Sequence, residues 1–413
     1  MYNVVRLVGS LNIGVLEQSL NEIIRRHEIL RVCITMADNQ PVQKIVPFQK
    51  TPIVVEDLQQ KLKETQFKDD GVALIVDEIR RPIDLTHGPI LRVKLFRLAP
   101  DDQILVLTIH HLVFDEWSNE IFWKEMSHFY RAFLGQLEPD RPELPIQYVD
   151  FVHWHRKWLQ GEVRQKQLDY WKQQLSGDLP VLQLPTDRVY PAVQSFRGAL
   201  AFKKLPAEIR AGLKSIGQQA EATMFMTLLA AFKVLLQRYT HQNDLLVGTP
   251  IANRYRPETK DLIGLFLNTL VIRSDLSDDP TFFDLLRRVR QTALDAYAHQ
   301  DLPFDELVGE LKLQRDFRHN PLFQVMFVYQ KEALEAIDLP DIAARRLSID
   351  AGVSKFDLTL FVNEADDDIT AAIEYNTDLF DSGTIDRLLG HFLSLLESIV
   401  ADPYQPVSLL PIL

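Results

Sequence analysis

Cysteine is nearly absent from this sequence, and its scarcity limits the chemistry of the chain. Cys33 is the one cysteine among 413 residues. The chain therefore has no internal disulfide and no site built from several thiolates, such as a structural zinc or an iron–sulfur centre. Cys33 lies in the apolar run Val32-Cys33-Ile34, which predicts a buried core thiol rather than a nucleophile.

An excess of positive charge is also lacking. The sequence has 45 Lys and Arg against 57 Asp and Glu, a net charge of −12. A net-acidic chain lacks the electrostatic footprint of a nucleic-acid binder and is not attracted to an anionic membrane surface. No run approaches the ~20 apolar residues of a membrane span, and the N-terminus has no signal-peptide pattern. We predict a cytoplasmic protein without nucleic-acid or membrane partners.

Three common catalytic motifs are missing. The sequence contains no G-x-x-x-x-G-K, no G-x-G-x-x-G and no G-x-S-x-G. Their absence argues against a P-loop kinase, a Rossmann dehydrogenase and an α/β-hydrolase, because each depends on its glycine-containing turn to hold a phosphate or a nucleophile.

Strand and helix patterns alternate throughout the chain. Residues 90–98 and 103–109 read as two strands joined by Ala99-Pro100-Asp101-Asp102, which favours a tight hairpin. A polar segment over 57–67 reads as a helix, and a strongly apolar one over 223–239 reads as a central helix. Mixed elements of this kind predict an α/β fold with mixed sheets.

The breakers of regular structure concentrate in one stretch. Residues 176–198 contain Gly177, Pro180, Pro185 and Pro191, which indicates a linker between lobes. At roughly 150 residues per domain, the length fits two or three domains or two large lobes. We predict an N-terminal lobe over 1–175 and a C-terminal lobe over 176–413.

The segment HHLVFDEWS, residues 110–118, carries the clearest chemical signal. Two histidines close an apolar strand, and strand alternation sends them to opposite faces. Asp115 follows beyond the strand end, where it can pair with an arginine and fix the loop. A histidine near its natural pKa can accept or orient the proton that an attacking amine or hydroxyl loses at neutral pH.

Two other interpretations of this segment remain open. Both histidines can be core residues that end a strand, which is the more common role of a bare His-His pair. A zinc site from His110, His111 and Asp115 is disfavoured, because adjacent strand residues point apart and no fourth ligand is evident. We predict no metal site.

HHLVFDEWS resembles the H-H-x-x-x-D-G signature of the condensation domains of nonribosomal peptide synthetases. Other segments resemble further motifs of that family in the family's order. They are RHEILR (26–31), YVDFVHW (148–154), IGLFLNTLVIR (263–273), HQDLPFDELV (299–308), RDFRHNPLFQVMF (315–327) and EYNTDLFD (374–381). The resemblance covers essentially the whole chain.

The resemblance implies a specific architecture and reaction. Family members form a V-shaped pseudo-dimer of two lobes, each like chloramphenicol acetyltransferase, with a central channel. A donor acyl or peptidyl thioester and an acceptor aminoacyl thioester arrive on the 4′-phosphopantetheine arms of carrier proteins, and an amide forms. The implied partners are donor and acceptor peptidyl carrier proteins and an adenylation domain or other synthetase modules. The domain itself is expected to bind no cofactor and to be a monomer.

The motif matches also imply roles for single residues. His111 is the second histidine of the signature and is implied to be catalytic, whereas His110 and Asp115 are implied to be structural. The motif match suggests Arg31 as the ion-pair partner of Asp115, with Arg254 as another candidate.

Two further motif positions belong to the implied site. Asn268 of the N-T motif is implied to face the channel. Ser118 corresponds to a motif position without an assigned role.

The sequence departs from the family pattern at two places. Glu116 stands where the family has glycine, and it can tune the substrate, take part in acid–base chemistry, obstruct the channel or point to solvent. The chain also starts at the expected first strand, Met1-Tyr2-Asn3-Val4, so we expect the family's first segment to be missing. An alternative function follows: a catalytically idle scaffold that only docks carrier proteins.

Overall fold

The computed structural model describes residues 1–59, 71–138, 141–313, 320–331, 337–365 and 368–413. The chain divides into two compact units, each built from several stretches of sequence. Unit 1 comprises Met1–Trp158, Arg254–Leu267 and Leu334–Ala351, and unit 2 comprises Leu159–Asn253, Asn268–Ala333 and Gly352–Leu413.

Unit 1 is built on a mixed sheet. Its strands are β1 (Tyr2–Gly9), β4 (Val54–Asp57), β5 (Leu91–Ala99), β6 (Asp102–Ile109) and β11 (Ile342–Arg346), and β2 (Val32–Ala37) and β3 (Gln40–Ile45) form a separate hairpin. In the described part of unit 1 the sheet order is β11-β1-β6-β5-β4, with β4 parallel to β5 and the other neighbours antiparallel. The helices are α1 (Ile13–Arg26), α2 (Val72–Arg80), α3 (Glu116–Phe133) and α4 (Tyr148–Trp158).

The core of unit 1 follows from its sequence pattern. β5 and β6 form the predicted hairpin, with Leu91 opposite Ile109, and nearly every residue of β6 is buried. Helices α1 and α3 place apolar residues such as Leu20 and Phe122 in the same core cluster as β6. Burial of this apolar surface fixes the end of β6, from which the 110–118 segment continues.

Unit 2 contains the larger sheet. Its strands are β7 (Gly198–Leu205), β8 (Asp244–Ile251), β9 (Asn268–Asp275), β10 (Val325–Lys331), β12 (Leu358–Ala365) and β13 (Asp368–Asn376). Across the described residues the order is β7-β13-β12-β10-β8-β9, with parallel β12-β10 and β10-β8 pairs. The helices are α5 (Gly161–Gln174), α6 (Ala207–Gln219), α7 (Met224–Thr240), α8 (Phe282–Ala298), α9 (Phe304–Leu311) and α10 (Ser382–Ala401).

The expected fold class is confirmed, because both large sheets mix parallel and antiparallel strands among helices. The apolar helix predicted over 223–239 is α7, and it is buried along most of its length. Cys33 is buried, as its apolar neighbours predicted.

The boundary between the compact units differs from the single division predicted after residue 175. The chain first passes from unit 1 to unit 2 between Trp158 and Leu159, and 254–267 and 334–351 return to unit 1. Residues 176–197 contain no helix or strand, yet Leu182 N–H donates to Gln324 within unit 2 at 2.8 Å. Tertiary hydrogen bonds therefore hold this stretch to one unit.

Strand β11 had no counterpart in the sequence-based assignment, because its short sequence IAARR lacks a strong strand pattern. Residues 60–67 of the helix predicted over 57–67, and residues 315–319 of one family motif, lie outside the described residues. Asp57 itself ends strand β4.

Within the described residues, no single helix is long and apolar enough to cross a membrane. The pair α6 and α7, bent by 104°, passes that test of length and composition together.

Candidate functional site

The two adjacent histidines lie just beyond strand β6 rather than within it. The strand ends at Ile109, and residues 111–113 form a turn of 3-10 helix. His110 accepts a hydrogen bond from Leu112 N–H at its Nδ1 atom, 3.1 Å away, which caps this turn. The turn, rather than strand alternation, therefore sets the directions of the two rings.

A short contact with the backbone holds the ring of His111. Its Nδ1 atom lies 2.6 Å from the carbonyl oxygen of Phe114. A carbonyl oxygen only accepts, so Nδ1 must carry the hydrogen and donate it. In the neutral ring the lone pair is then on Nε2, which is the basic atom of this half-buried side chain.

Asp115 anchors the turn to helix α3. It is the N-cap of α3, and its Oδ1 atom accepts from Ser118 N–H at 2.8 Å. Oδ2 accepts from Phe266 N–H at 3.0 Å. The residue is 2% exposed, so these bonds replace the water that a carboxylate loses on burial.

Arg254 is the ion-pair partner of Asp115. Its Nη2 atom lies 3.0 and 3.2 Å from the two carboxylate oxygens. Nη1 donates to the carbonyls of Thr259 and Leu262, at 2.7 and 2.6 Å, and the guanidinium stacks over the Phe266 ring. Burial lowers the pKa of Arg254, and the negative charge of Asp115 opposes that shift.

The pairing of Arg31 with Asp115 is wrong. Arg31 ends a 3-10 turn, and its guanidinium donates to the carbonyls of Ile24 and Val46 at 3.2 and 2.9 Å. These bonds tie α1 to the chain after β3. The motif placed an arginine near the start of the chain, whereas the observed partner is 139 residues from Asp115 in sequence.

Ser118 connects α3 to residues 254–267, the stretch that goes back to unit 1 and is called the returning segment below. Its hydroxyl lies 2.7 Å from Asp115 Oδ1 and 2.9 Å from the Gly264 carbonyl, and it accepts from Gly264 N–H at 3.0 Å. Tyr148 donates its hydroxyl to the Leu265 carbonyl at 2.7 Å, and burial raises its pKa to about 12. The family pattern named Ser118 without a role; its contacts show that it holds the segment.

Gly264 permits this close approach. A Cβ atom at this position meets the Tyr148 ring at 2.2 Å. The sequence marks Tyr148 and Gly264 only as members of two family motifs, without a role for either. Tyr148 lies in the motif YVDFVHW and Gly264 in the motif IGLFLNTLVIR, so both motifs point to these positions. Only the folded structure shows that the two residues contact each other.

Asn268 lies in unit 2 at the start of β9, and its amide is engaged locally. Nδ2 donates to the carbonyls of Gln300 and Leu302, both at 2.8 Å, and Oδ1 accepts from Phe304 N–H at 3.0 Å. The side chain therefore joins β9 to the start of α9. Its role in a channel stays a prediction.

Glu116, the residue in place of the family's glycine, begins helix α3. Its side chain is exposed, and Oε1 accepts from Asn119 Nδ2 at 2.9 Å. A carboxylate in the first turn of a helix is favourable because it faces the positive end of the helix dipole.

Nowhere in the described ranges do three or more His, Cys, Asp or Glu side chains gather in a way that could hold a metal ion.

Comparisons with known proteins agree with this architecture. The model of the condensation-domain family matches residues 1–413. The chain is 46% identical over 418 residues to one component of the linear gramicidin synthase of Brevibacillus parabrevis, and 45% identical over 417 residues to another component of that synthase. These alignments cover 100% of this chain but 8% and 5% of the two relatives, so the chain spans a small part of their length.

A solved structure extends the comparison to the fold. The X-domain from teicoplanin biosynthesis superimposes with a TM-score of 0.90 at 27% identity, covering 100% of this chain and 93% of the X-domain. The same domain has been solved in complex with OxyB, with a TM-score of 0.88 at 28% identity, covering 100% of this chain and 91% of that one.

Two mixed α/β units of this kind define the two-lobed fold that resembles chloramphenicol acetyltransferase. Within that class, the chain belongs to the condensation-domain family of nonribosomal peptide synthetases.

Proposed function

We propose that this chain forms an amide bond between a donor acyl or peptidyl thioester and the amine of an acceptor aminoacyl thioester. Both substrates are carried on 4′-phosphopantetheine arms of carrier proteins, and the domain holds no cofactor of its own. The partners are peptidyl carrier proteins and the other modules of a synthetase. Membership of the condensation-domain family supports this assignment.

The contact between His111 Nδ1 and the Phe114 carbonyl carries the proposal for the site. It leaves the lone pair of the neutral ring on Nε2. The acceptor nitrogen attacks the thioester carbonyl carbon, the new C–N bond forms and the C–S bond breaks. His111 accepts or orients the proton that leaves the amine, and the departing thiolate takes up a proton. Because a thioester is already activated, we expect His111 to contribute about 10²-fold or more rather than the whole rate.

The test compares His111→Ala and His111→Gln with the unaltered domain, using donor and acceptor carrier proteins loaded and supplied in trans. Mass spectrometry of the intact acceptor carrier follows the added donor mass. We expect both variants to lose about 100-fold or more in rate. His87→Ala is the matched control, because His87 is an exposed histidine of unit 1 whose partner is the surface residue Asp84. Equal rates in the unaltered domain and His111→Ala would remove His111 from the mechanism.

A docking scaffold is the second candidate function. The X-domain that superimposes on this chain was solved in complex with another protein, OxyB, which favours binding as a function of this fold. The same assay separates the candidates. A domain that binds loaded carriers yet transfers no acyl group is a scaffold, and an active domain that depends on His111 is an acyltransferase.

A further inference from the structure

A second buried charge cluster lies in unit 1, and the proposed reaction does not use it. His27 and Glu125 are each 1% exposed, and His27 Nε2 lies 2.8 Å from Glu125 Oε2. Arg26 and Arg141 approach Oε1 at 3.0 and 3.4 Å. Burial by itself raises the pKa of Glu125, but the His27 hydrogen bond and the two guanidinium charges hold that pKa below its usual value. Glu125 is therefore an ionised acceptor.

The other ring nitrogen of His27 contacts the returning segment. Ile263 N–H donates to His27 Nδ1 at 3.3 Å. A backbone N–H only donates and an ionised carboxylate only accepts, so the hydrogen of His27 must be on Nε2 and the lone pair on Nδ1. His27 is thus held with its hydrogen on Nε2, the placement that Glu125 selects.

Side chains, rather than a sheet ladder, hold this part of the returning segment. Residues 263–266 lie outside the helices and strands of the described chain. Ile263 N–H donates to His27, Gly264 N–H to Ser118 and Phe266 N–H to Asp115. Removing one of these acceptors leaves a buried N–H group unpaired, which loosens the segment locally.

The returning segment also contacts the residue that follows the turn carrying His111. Asp115, which accepts from Phe266, directly follows Phe114, whose carbonyl orients His111. Resting on the proposed acyl transfer, we propose that His27 is a positioning residue: its Nδ1 atom fixes Ile263 and, through Phe266 and Asp115, the orientation of His111.

A matched pair of substitutions separates the two nitrogens of His27. In His27→Asn the carboxamide oxygen lies near the position of Nδ1 and can accept from Ile263, but contact with Glu125 is lost. In His27→Gln the amide nitrogen lies near the position of Nε2 and can donate to Glu125, but the acceptor for Ile263 is lost. We expect kcat to fall about 10-fold or more in His27→Gln, with KM for the acceptor carrier within about twofold, and to stay within about threefold in His27→Asn.

Amide hydrogen exchange across residues 262–266 provides a readout that does not depend on turnover. We expect faster exchange there in His27→Gln than in His27→Asn, with thermal midpoints showing that both variants fold. Arg25→Ala is the control, because Arg25 is the exposed neighbour of this cluster and pairs with Glu22.

The outcomes distinguish this proposal from the one on which it rests. Equal kcat in the two His27 variants, or faster exchange in His27→Gln without a fall in kcat, overturns the positioning role. If the unaltered domain forms no product, the acyl transfer itself fails and the positioning role fails with it. The exchange data then still show whether His27 holds the segment.

Discussion

Unit 1 and unit 2 each bury a charged group, and they compensate for it differently. In unit 1 the Asp115 carboxylate meets the Arg254 guanidinium and several donors at about 3 Å. In unit 2 the fully buried Lys233 of α7 donates to the Ile272 carbonyl and to the Ser274 hydroxyl, each at 2.7 Å. Those acceptors are neutral. The charge of Asp244 raises the pKa of Lys233, but Asp244 itself is paired with Arg273.

The difference shows in how the two groups respond to burial. Burial lowers the pKa of Lys233 to about 7, and the charge of Asp244 only partly opposes this shift. Neutral acceptors stabilise a buried ammonium less than an opposite charge does, so the amine can lose its proton instead. Asp115 and Arg254 hold a turn in place as charges, whereas Lys233 joins a helix to a strand and can be neutral.

Breaking the unit 1 pair is expected to have the largest effect. Asp115→Ala leaves Arg254 buried without its counter-charge and removes the N-cap of α3. We expect the free energy of unfolding to fall by about 3–5 kcal/mol, measured by urea denaturation. Asp115→Asn keeps a capping group and is expected to lose less. Asp278→Ala, which breaks the exposed pair with Arg288, is the control with little expected change; a similar loss in Asp115→Ala and Asp278→Ala would contradict the special role of the buried pair.

The unit 2 lysine is expected to make stability depend on pH. The ordinary lysine pKa is 10.5 and the folded value is about 7, so between these values the unfolded state binds more protons than the folded state. Stability therefore rises with pH across this range, by up to about 1.4 kcal/mol per pH unit, and this contribution is lost as pH falls toward 7.

Lys233→Met is expected to remove that slope. The free energy of unfolding is measured by urea denaturation at pH 7.5 and pH 9, which both lie between the two pKa values. The change between the two pH values is compared in the variant and the unaltered chain, so the contributions of other titrating groups cancel. The same slope in both proteins would mean that Lys233 stays protonated in the folded state.

Alanine substitutions at one glycine of each unit are expected to change stability by smaller amounts. Gly264→Ala places a methyl group 2.2 Å from the Tyr148 ring, so we expect a loss of about 1–3 kcal/mol in stability. Gly309→Ala is the matched variant on helix α9, where an added Cβ atom meets nothing within 4 Å beyond its chain neighbours and the helix's own backbone, and we expect a gain of about 0.5–1 kcal/mol. Thermal denaturation of both variants tests this, and a neutral Gly264→Ala would show that the segment can move away from Tyr148 without cost.

The smallest effect is expected at Glu116. Glu116→Gly restores the family's glycine but removes a carboxylate from the first turn of α3, so we expect a loss of about 1 kcal/mol or less. Because the side chain is exposed, we expect the rate of the proposed transfer to change by less than about threefold. The carrier assay measures it alongside Glu116→Gln. A rise of 10-fold or more in Glu116→Gly alone would favour obstruction by this side chain.

Local sequence patterns determined much of this fold. The β5–β6 hairpin and the apolar α7 depend on residues close together in sequence, and both were predicted. Strand β11 was not, because pairing with β1 between Val5–Gly9 and Ile342–Arg346 joins distant parts of the chain. Periodicity reports which residues are apolar, not which distant strand completes a sheet.

The candidate site divides in the same way. The sequence by itself identified His110, His111, Asp115 and Ser118, since they lie within nine residues of one another in a recognisable motif. Only the tertiary structure decided that Arg254 rather than Arg31 pairs with Asp115, and that His27 and Ser118 hold residues 263–266. The physical reason is that a buried charge or N–H group must find a partner in space. The chain supplied those partners from segments more than 100 residues away.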